Sequence, residues 1–384
     1  PGLTQTRTLN TTLTGLALGD YHVIVRTDIL NNIYESNELN NNTTGDSLVN
    51  VTVAELPLEV FTADTLPDQG QLFYQVQIPS GLVGETLLLE LKGDSLNGNN
   101  QLYIRYNDVP SNVVFDFSSI EPFQGNQEAL VPSLQAGTYY VLITGTTPSG
   151  GLSSQALNIR PSILPFEIRR VTSNEGGNTG SVTVLVEGSK LEANMTYFLE
   201  DSVGQRIFST ATFFSTTIAS YATFPLAGAP VGTYDVVGVN LAGDTTRLVD
   251  GFTVVTGTIG SVPGGGAGAG TGGFSCSIQN IGFDGSLATD VNYPFNTRLN
   301  RVIPLTILFQ NNGNVDIPAP TKILISLEGA PLSFDVAGLE DGKEEVFLEF
   351  AETNGPPGIL RPGANGSITV YTKAVAPMRF LIID

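Results

Sequence analysis

The sequence predicts an all-β protein made of tandem antiparallel β-sandwich domains, Ig-like or jelly-roll-like, in an elongated array. Three observations lead to this fold class. Apolar and polar residues alternate with period two along many short segments, helical periodicity is nearly absent, and clusters of Gly, Pro, Asn and Asp separate the segments. Period-two alternation indicates half-buried strands, and many short strands at this spacing are typical of antiparallel sandwiches.

The alternation is clearest in the segments ETLLLELKG, SVTVLVEG and TKILISLEG. Each places three aliphatic residues on one face of a strand, while the opposite face carries one leucine and two polar or charged residues. The three aliphatic sets are Leu87, Leu89 and Leu91; Val182, Val184 and Val186; and Ile323, Ile325 and Leu327. Successive side chains of a strand point to opposite faces, so we expect the aliphatic face to be the buried one.

Composition argues against an enzyme. The chain of 384 residues has one histidine, His22, and one cysteine, Cys276, so a Ser-His-Asp or Cys-His site has almost no residues to draw on. A single cysteine also excludes an intrachain disulfide and a CxxC zinc site. We therefore predict no catalytic residues and no cofactor.

Charge limits the partners. The chain has 17 basic and 37 acidic residues, a net charge of −20, which repels nucleic acid and anionic lipid but attracts cations such as calcium. It has no run of eighteen apolar residues, so we expect no membrane insertion. The scarcity of Cys, His and Met indicates an extracellular or cell-surface protein.

A Gly-x-Tyr pattern occurs at three places in the chain. GDYHVIV at 19–25, GTYYVLI at 137–143 and GTYDVVG at 232–238 each consist of a glycine, one residue, a tyrosine and a β-branched run. Glycine accepts the positive φ of a tight turn, and the tyrosine hydroxyl can return to nearby backbone, as in the tyrosine corner of Ig-like sandwiches. We predict that Tyr21, Tyr139 and Tyr234 are equivalent structural corners.

Proline-bearing joints and a glycine-rich segment divide the chain. AELPLE at 54–59 and RPSILPFE at 160–167 are short and stiff. TGTIGSVPGGGAGAGTGG at 256–273 predicts a flexible tether, with packing into a crevice between domains as the alternative. The predicted domains are a partial one at 1–55, complete ones at 56–163 and 164–256, a linker at 257–273, and an unfinished domain at 274–384. We expect a piece of a longer polypeptide.

The run GDYHVIVRTDILNNIYESNELNNN resembles the C-terminal half of the CARDB module, a bacterial Ig-like domain associated with cell adhesion. The resemblance covers about residues 10–54. It implies that the Asn-rich cluster joins two strands, with Glu35, Asn37 and Glu38 satisfying loop backbone groups as Asn and Asp do in turns. Calcium is the alternative, although the D-x-[DN]-x-[DN]-G pattern is absent.

Residues 56–160 resemble the bacterial pre-peptidase C-terminal (PPC) domain in the stretches GQLFYQVQI, LLLELKGDSLNGNNQLYIRY and ALVPSLQAGTYYVLITG. Some relatives bind calcium or matrix polymers, but the two aspartates of the family's G-D-A-D-L-Y-V stretch are replaced in NGNNQLYIRY. A calcium site would need oxygen ligands from Asp94, Asn97, Asn99 and Asp116. A hairpin loop explains the same residues without a metal.

Residues 164–256 resemble an IPT/TIG domain, an Ig-like fold, in FEIRRVTSNEGGNTGSVTVLVEGSKL and LAGAPVGTYDVVGVNLAGDTTRLVDGFTVV. Residues 274–384 look like modules of giant bacterial surface proteins in LFQNNGNVDIPAPTKILISLEG and LRPGANGSITVYTK. Together the four resemblances imply a segment of a long bacterial surface protein.

We therefore expect a non-enzymatic structural or adhesive segment that projects or assembles through its sandwiches. Its partners would be other domains of the same chain, further copies in a homo-oligomer or filament, or a surface polysaccharide. One alternative is an accessory region that binds polysaccharide or matrix, with Tyr103 and Tyr106 as candidate aromatic residues on opposite strand faces. The other is a non-catalytic part of a large secreted peptidase or toxin.

Overall fold

The computed structural model of the chain describes residues 8, 19–30, 32, 34, 41–94, 98–147, 153–258, 276–280, 287–293, 297–319, 321–353, 355–375 and 378–383. The structure is nearly all β, in several mostly antiparallel sheets, which confirms the predicted fold class. The chain divides into two compact units, Pro1–Ile163 and Leu164–Asp384. In the described ranges, no helical turn reaches the length and hydropathy of a bilayer-spanning helix.

The first unit holds a hairpin and one sandwich. The hairpin consists of β1 (Gly19–Arg26) and β2 (Asn42–Val51). The first sandwich is built from β3 (Ala54–Glu55), β4 (Thr62–Pro67), β5 (Gln71–Ile78), β6 (Thr86–Lys92), β7 (Asn99–Tyr106), β8 (Phe117–Ser119), β9 (Gln127–Val131), β10 (Gly137–Thr146) and β11 (Ser154–Leu164), with a 3₁₀ turn at Ser80–Leu82. Its sheets have the orders β3-β5-β10-β7-β8 and β4-β11-β6-β9. One hydrophobic core fills the space between them.

The second unit begins with the second sandwich. Its strands are β12 (Glu167–Thr172), β13 (Glu175–Gly177), β14 (Ser181–Ser189), β15 (Thr196–Glu200), β16 (Arg206–Phe208), β17 (Ala211–Thr216), β18 (Ala219–Pro225), β19 (Gly232–Val239) and β20 (Thr245–Val255). The sheets have the orders β12-β14-β18-β17 and β13-β20-β19-β15-β16. Strands β13 and β20 pair in parallel, and their neighbours pair antiparallel. A core of its own lies between the two sheets.

The third sandwich follows in the same unit. Its strands are β21 (Cys276–Asn280), β22 (Leu287–Asn292), β23 (Val302–Asn311), β24 (Ile317–Pro318), β25 (Thr321–Ser326), β26 (Leu332–Ser333), β27 (Glu345–Glu349), β28 (Ile359–Leu360), β29 (Asn365–Lys373) and β30 (Met378–Ile383), with a 3₁₀ turn at Ala337–Glu340. The main sheets are β21-β30-β25-β27 and β22-β23-β29-β26, and β24 pairs with β28. The first and last strands of this sandwich, β21 and β30, pair in parallel. A third core fills this sandwich.

Two of the three alternating segments bury the predicted face. On β6, Leu87, Leu89 and Leu91 are at most 1% exposed and join the core of the first sandwich. On β14, the three valines of the predicted face are fully buried in the second core. Both strands lie inside their sheets, so the face with more apolar area turns inward, which is the favourable direction of burial.

The third segment buries the opposite face. On β25 the core residue is Leu324, which lies opposite Ile382 of β30, while Ile323 and Ile325 are half-buried and Leu327 is half-exposed. Ser326 is buried on the same side as Leu324, and its Oγ accepts a hydrogen bond of 2.8 Å from the Ala330 N–H. Because this hydroxyl has a partner, the more polar face can be the inner one.

The three Gly-x-Tyr patterns lie where their strands begin. Gly19, Gly137 and Gly232 have φ of +143°, +137° and +158°, which residues with a Cβ rarely adopt. The Tyr139 hydroxyl accepts a 2.9 Å hydrogen bond from the N–H of Gln135, and the Tyr234 hydroxyl donates one of 2.9 Å to the carbonyl of Pro230. Both partners lie four residues upstream of the tyrosine.

Tyr21 lies in a different setting. It is half-buried on β1, opposite Val49 of β2, in a two-stranded sheet. Tyr139 and Tyr234, by contrast, are each almost fully buried in the core of a sandwich. Burial raises the pKa of both the Tyr139 and the Tyr234 hydroxyl, so each stays protonated near neutral pH.

Tyr139→Phe is expected to reduce the local free energy of unfolding of the first sandwich by about 0.5–1.5 kcal/mol, because the Gln135 N–H loses its acceptor. Native-state hydrogen exchange on the full chain measures the change in peptides from β9 and β10. The control is the adjacent Tyr140→Phe, a half-buried position on the other face of the strand. Equal effects of the two variants would count against the corner.

Candidate functional site

The second and third sandwiches meet at an interface that buries polar groups from both. We call this interface the junction. Its principal residues are Thr172, Thr183, Tyr221, Asn314, Val315, Asp316 and Arg361. The third sandwich contributes the loop between β23 and β24, which lies within the segment NNGNVDIP, and the turn after β28, which lies within the segment LRPG. Both loops are remote in sequence from the strands that they contact.

Asp316 forms hydrogen bonds with β14 beyond the point where β12 stops pairing with that strand. Strand β12 pairs with β14 only as far as Thr172, which lies opposite Leu185. Beyond that point Asp316 takes over: its N–H donates to the carbonyl of Ser181 at 2.8 Å, and its Oδ1 accepts from the Thr183 N–H at 2.9 Å. The third sandwich thus supplies hydrogen bonds that β12 would have made in a longer sheet.

The carboxylate of Asp316 is deeply placed. Its Oδ2 accepts a second hydrogen bond, 2.6 Å long, from the hydroxyl of Thr183, which also lies 2.8 Å from the Thr223 hydroxyl. Burial raises the pKa of the Asp316 carboxyl, while the hydrogen bonds from Thr183 and the charge of Arg361 act in the opposite direction. Desolvation is the largest effect, so the junction disfavours the charged form.

Arg361 forms the other half of the junction. Arg361 as a whole is 7% exposed, and its guanidinium makes a bidentate ion pair with Glu352, Nε to Oε2 at 2.8 Å and Nη2 to Oε1 at 2.5 Å. Its remaining nitrogen, Nη1, donates to the carbonyl of Thr172 at 3.3 Å, and the group lies 5.1 Å from the centre of the Tyr221 ring. This combines a bidentate pair with a cation–π contact across the junction.

Burial lowers the pKa of Arg361, but the hydrogen bonds and charge of Glu352 outweigh it and raise the pKa overall. The guanidinium therefore stays charged throughout the physiological range. A buried charge is costly unless it is paired and hydrogen-bonded, and Arg361 meets both conditions. Removal of Glu352 would leave this cost without compensation.

Asn311 shapes the loop that carries Asp316. Its side chain is fully buried, donates from Nδ2 to the carbonyls of Val315 and Leu360 at 2.9 Å each, and accepts from the Gly313 N–H at 2.9 Å. One amide therefore ties the loop before β24 to the residue that precedes Arg361. We infer that Asn311 fixes the spacing between the two parts of the junction.

Asn314 and Val315 complete the contact. The Asn314 side chain accepts from the Thr258 N–H at 2.8 Å and donates to the Thr256 carbonyl at 3.0 Å, so it pairs with extended backbone after β20. Val315 packs against the core of the second sandwich. A Cβ at Gly177 would lie 2.2 Å from the Asn314 Oδ1, which explains a glycine at that position.

The junction changes the interpretation of the glycine-rich segment. Composition predicts a flexible tether at 257–273, but the sandwiches on either side of it are in contact. Apart from the Thr258 N–H, which donates to Asn314, the junction contacts described above come from residues outside 257–273, so the glycine content carries no information about them. Residues 259–275 lie outside the described part of the chain.

The calcium candidates of the first sandwich do not converge. Asn99 is the first residue of β7, and its Oδ1 accepts from the Phe123 N–H at 3.2 Å, whereas Asp116 accepts from the N–H of Tyr106, the last residue of β7. Seven residues of strand separate these positions by about 20 Å. The structure therefore does not bring Asn99 and Asp116, two candidates of the calcium alternative, within reach of one ion.

Other predicted residues fall outside the described ranges. They are Glu35, Asn37 and Glu38 of the Asn-rich cluster, and Asn97 of the hairpin loop. Among the residues that the structure does describe, no group of three or more His, Cys, Asp or Glu is placed to hold a metal. In the same hairpin region a different pair is buried, since Asn100 Oδ1 accepts a 2.8 Å hydrogen bond from Gln155 Nε2.

The two candidate aromatic residues do not form a platform. Tyr103 is 3% exposed and packs 5.1 Å from the Phe115 ring. Tyr106 packs 5.0 Å from Tyr139, and its hydroxyl donates to the carbonyl of Ala136 at 2.6 Å. Stacking on a sugar requires an open ring face, and these rings are used for packing within the sandwich.

No family model and no curated protein matches the chain. Among solved structures, a biofilm-associated protein BSP domain aligns over 85% of this chain and 66% of its own length, slightly under two thirds, with 7% identity and a TM-score of 0.20. The I9–I11 tandem of titin aligns over 84% and 98%, with 9% identity and a TM-score of 0.17. Titin domains A168–A170 align over 84% and 97%, with 10% identity and a TM-score of 0.19. At these scores the likenesses carry no argument about function.

Asp316→Ala is expected to open the junction locally. The Thr183 N–H and hydroxyl lose their shared acceptor, so we expect hydrogen exchange of the Thr183 amide in the full chain to rise at least about tenfold, the equivalent of one net hydrogen bond. Asp316→Asn retains an acceptor for the amide and should have a smaller effect. The control, Asp341→Ala, removes the same charge from an exposed turn of the third sandwich. Unchanged exchange in Asp316→Ala would refute this account of the junction.

The raised pKa of Asp316 predicts that the junction tightens as the pH falls. The docked state binds the Asp316 proton more tightly than the separated state, so docking gains free energy as the pH decreases through the raised pKa and loses it as the pH rises again. Asp316→Asn is neutral at every pH and removes this dependence. The comparison is hydrogen exchange of the β14 peptides in both proteins between about pH 4 and pH 7, corrected for intrinsic rates. Parallel pH profiles would contradict the prediction.

Proposed function

We propose that this chain is a non-enzymatic structural and adhesive segment of a secreted or cell-surface bacterial protein. The observation that carries the proposal is the junction, in which a buried carboxylate and a buried guanidinium fix two sandwiches to each other. A joint of this kind transmits orientation from one domain to the next. That property serves a protein whose task is to hold surfaces at a distance or together.

The chemistry of the remaining chain supports the same proposal. Catalysis by a nucleophile and base needs groups that this composition almost lacks, with one histidine and one cysteine in 384 residues. The histidine, His22, is exposed on the hairpin strand β1. The net charge of −20 keeps the chain away from nucleic acid and anionic lipid, and so leaves protein or neutral polymer as the partner class.

The two alternative functions gain no specific support from the described residues. Polysaccharide binding through Tyr103 and Tyr106 would need accessible ring faces, but Tyr103 packs against Phe115 and Tyr106 packs against Tyr139. Membership in a larger secreted peptidase or toxin depends on domains other than these sandwiches. The structural role is therefore the function that the geometry supports best.

The test of this function combines adhesion with turnover. The full chain, displayed on otherwise non-adhesive cells, is expected to promote attachment or aggregation under flow, while the purified chain hydrolyses no peptide, ester or glycoside substrate. Arg361→Ala should reduce the flow at which attached cells are released, because it weakens the junction. Arg379→Ala is the control, since the Arg379 side chain is 59% exposed and its ion pair with Glu328 lies within the third sandwich, so the substitution also removes a paired arginine but no contact of the junction. Turnover that a single substitution abolishes, or adhesion at the level of empty cells, would overturn the proposal.

A further inference from the structure

Strand β17 is an edge strand without the usual protection of an edge. It ends the order β12-β14-β18-β17, so among the strands that the structure describes its one neighbour in the sheet is β18. All six of its residues are exposed, so side chains on both faces of the strand are open to solvent. Exposed edges carry unpaired backbone groups and readily accept a further strand.

The other edges of the second sandwich are charged. Strand β12 contains Glu167, Arg169 and Arg170, β13 contains Glu175, and β16 contains Arg206. Charged residues on an edge are the common device that prevents pairing between chains. Strand β17, with the sequence ATFFST, has no charged residue, and neither does any position from 207 to 234.

The same edge exposes aromatic surface. Phe213 and Phe214 of β17 are 45% and 37% exposed. Phe208, which is 51% exposed, ends β16 at the edge of the other sheet. Phe213 and Phe214 point to opposite faces of the strand, because successive side chains alternate. Both faces of an added strand would therefore find an aromatic neighbour, in a segment rich in threonine and phenylalanine, which favour strands.

We propose that β17 pairs antiparallel with β17 of a second copy of this chain, which joins two four-stranded sheets into one of eight strands. Charge favours this partner. Two copies with a net charge of −20 each repel one another over most of their surface. Strand β17 lies within a long uncharged stretch, where two copies can approach without like charges facing each other. An acidic or basic partner strand would gain nothing from this edge.

The sequence of β17 also suits a two-fold axis. In an antiparallel pair of identical strands, the two-fold axis passes midway between one residue and its own copy, which lie opposite each other. Phe214 at that position gives an aromatic pair, with Thr212 of each copy opposite Thr216 of the other, and aromatic and Thr–Thr cross-strand pairs both stabilise sheets. The strand shifts register against β18 between Phe214 and Thr216, so the regular pairing is short.

A short pairing implies weak association of free chains and stronger association of chains held side by side. Six residues form a strand only about 20 Å long. The surface area that such a pair buries is far smaller than the area buried in a permanent dimer interface. Many chains anchored on one surface raise the effective concentration, and each weak contact then adds to the whole. The pairing extends the proposed structural role but uses a surface other than the junction, so either proposal can fail alone.

The experiment is sedimentation velocity of the full chain over a concentration series at about 0.5 M salt, which screens the repulsion between acidic copies. The wild type is expected to form reversible dimers. Thr212→Lys places like charges near the axis and should raise the dimer dissociation constant at least tenfold. The matched control, Thr233→Lys, adds the same charge to an exposed position on the inner strand β19 and should change the constant less than twofold.

A second measurement needs no variant. Hydrogen exchange of the wild-type chain at low and high concentration should show protection that increases with concentration in the peptide containing residues 211–216. Wild-type chains that stay monomeric at the highest concentration, equal effects of the two lysine variants, or protection that increases only elsewhere would each overturn the proposal.

Discussion

The hydrogen bonds between Thr183 and Asp316 govern the arrangement of the second and third sandwiches. Placing a carboxylate in a buried interface costs free energy through desolvation, and the two hydrogen bonds from Thr183 offset part of that cost only when the geometry is correct. A small rotation of one sandwich would break both bonds and leave the carboxylate buried without a donor. The contact therefore selects one orientation strongly, whatever its net contribution to stability.

The local features of the fold were accessible from the sequence. Leu87, Leu89 and Leu91 lie in a core because their side chains alternate with polar ones, and the valines of β14 follow the same rule. The turn glycines before Tyr139 and Tyr234 adopt positive φ, as the Gly-x-Tyr pattern predicts. These features depend on residues that are close in sequence, where spacing is a direct guide to geometry.

The junction was not accessible in this way. Thr183 belongs to the polar face of an alternating strand, which alone indicates exposure to solvent, yet it is 1% exposed because Asp316 covers it. Asp316 and Arg361 come from the segments NNGNVDIP and LRPG. These segments resemble modules of giant bacterial surface proteins, but the resemblance implies no role for either residue. Their partners lie more than a hundred residues upstream, and no local pattern encodes such pairs. The same reason explains β25, where pairing with β30 and the turn at Ala330 decide which face is inside.

A parallel pair that includes the last strand gives the second and third sandwiches a particular response to tension. In each of them, β13 with β20 and β21 with β30, the two strands run in the same direction, so the chain enters at one end of the pair and leaves at the other. A pull on both ends then acts along the strands and loads the hydrogen bonds between them together, in shear. Hydrogen bonds that are loaded one after another break at low force. Bonds loaded together hold until the whole set gives way, so each sandwich should resist extension up to a threshold and then open abruptly.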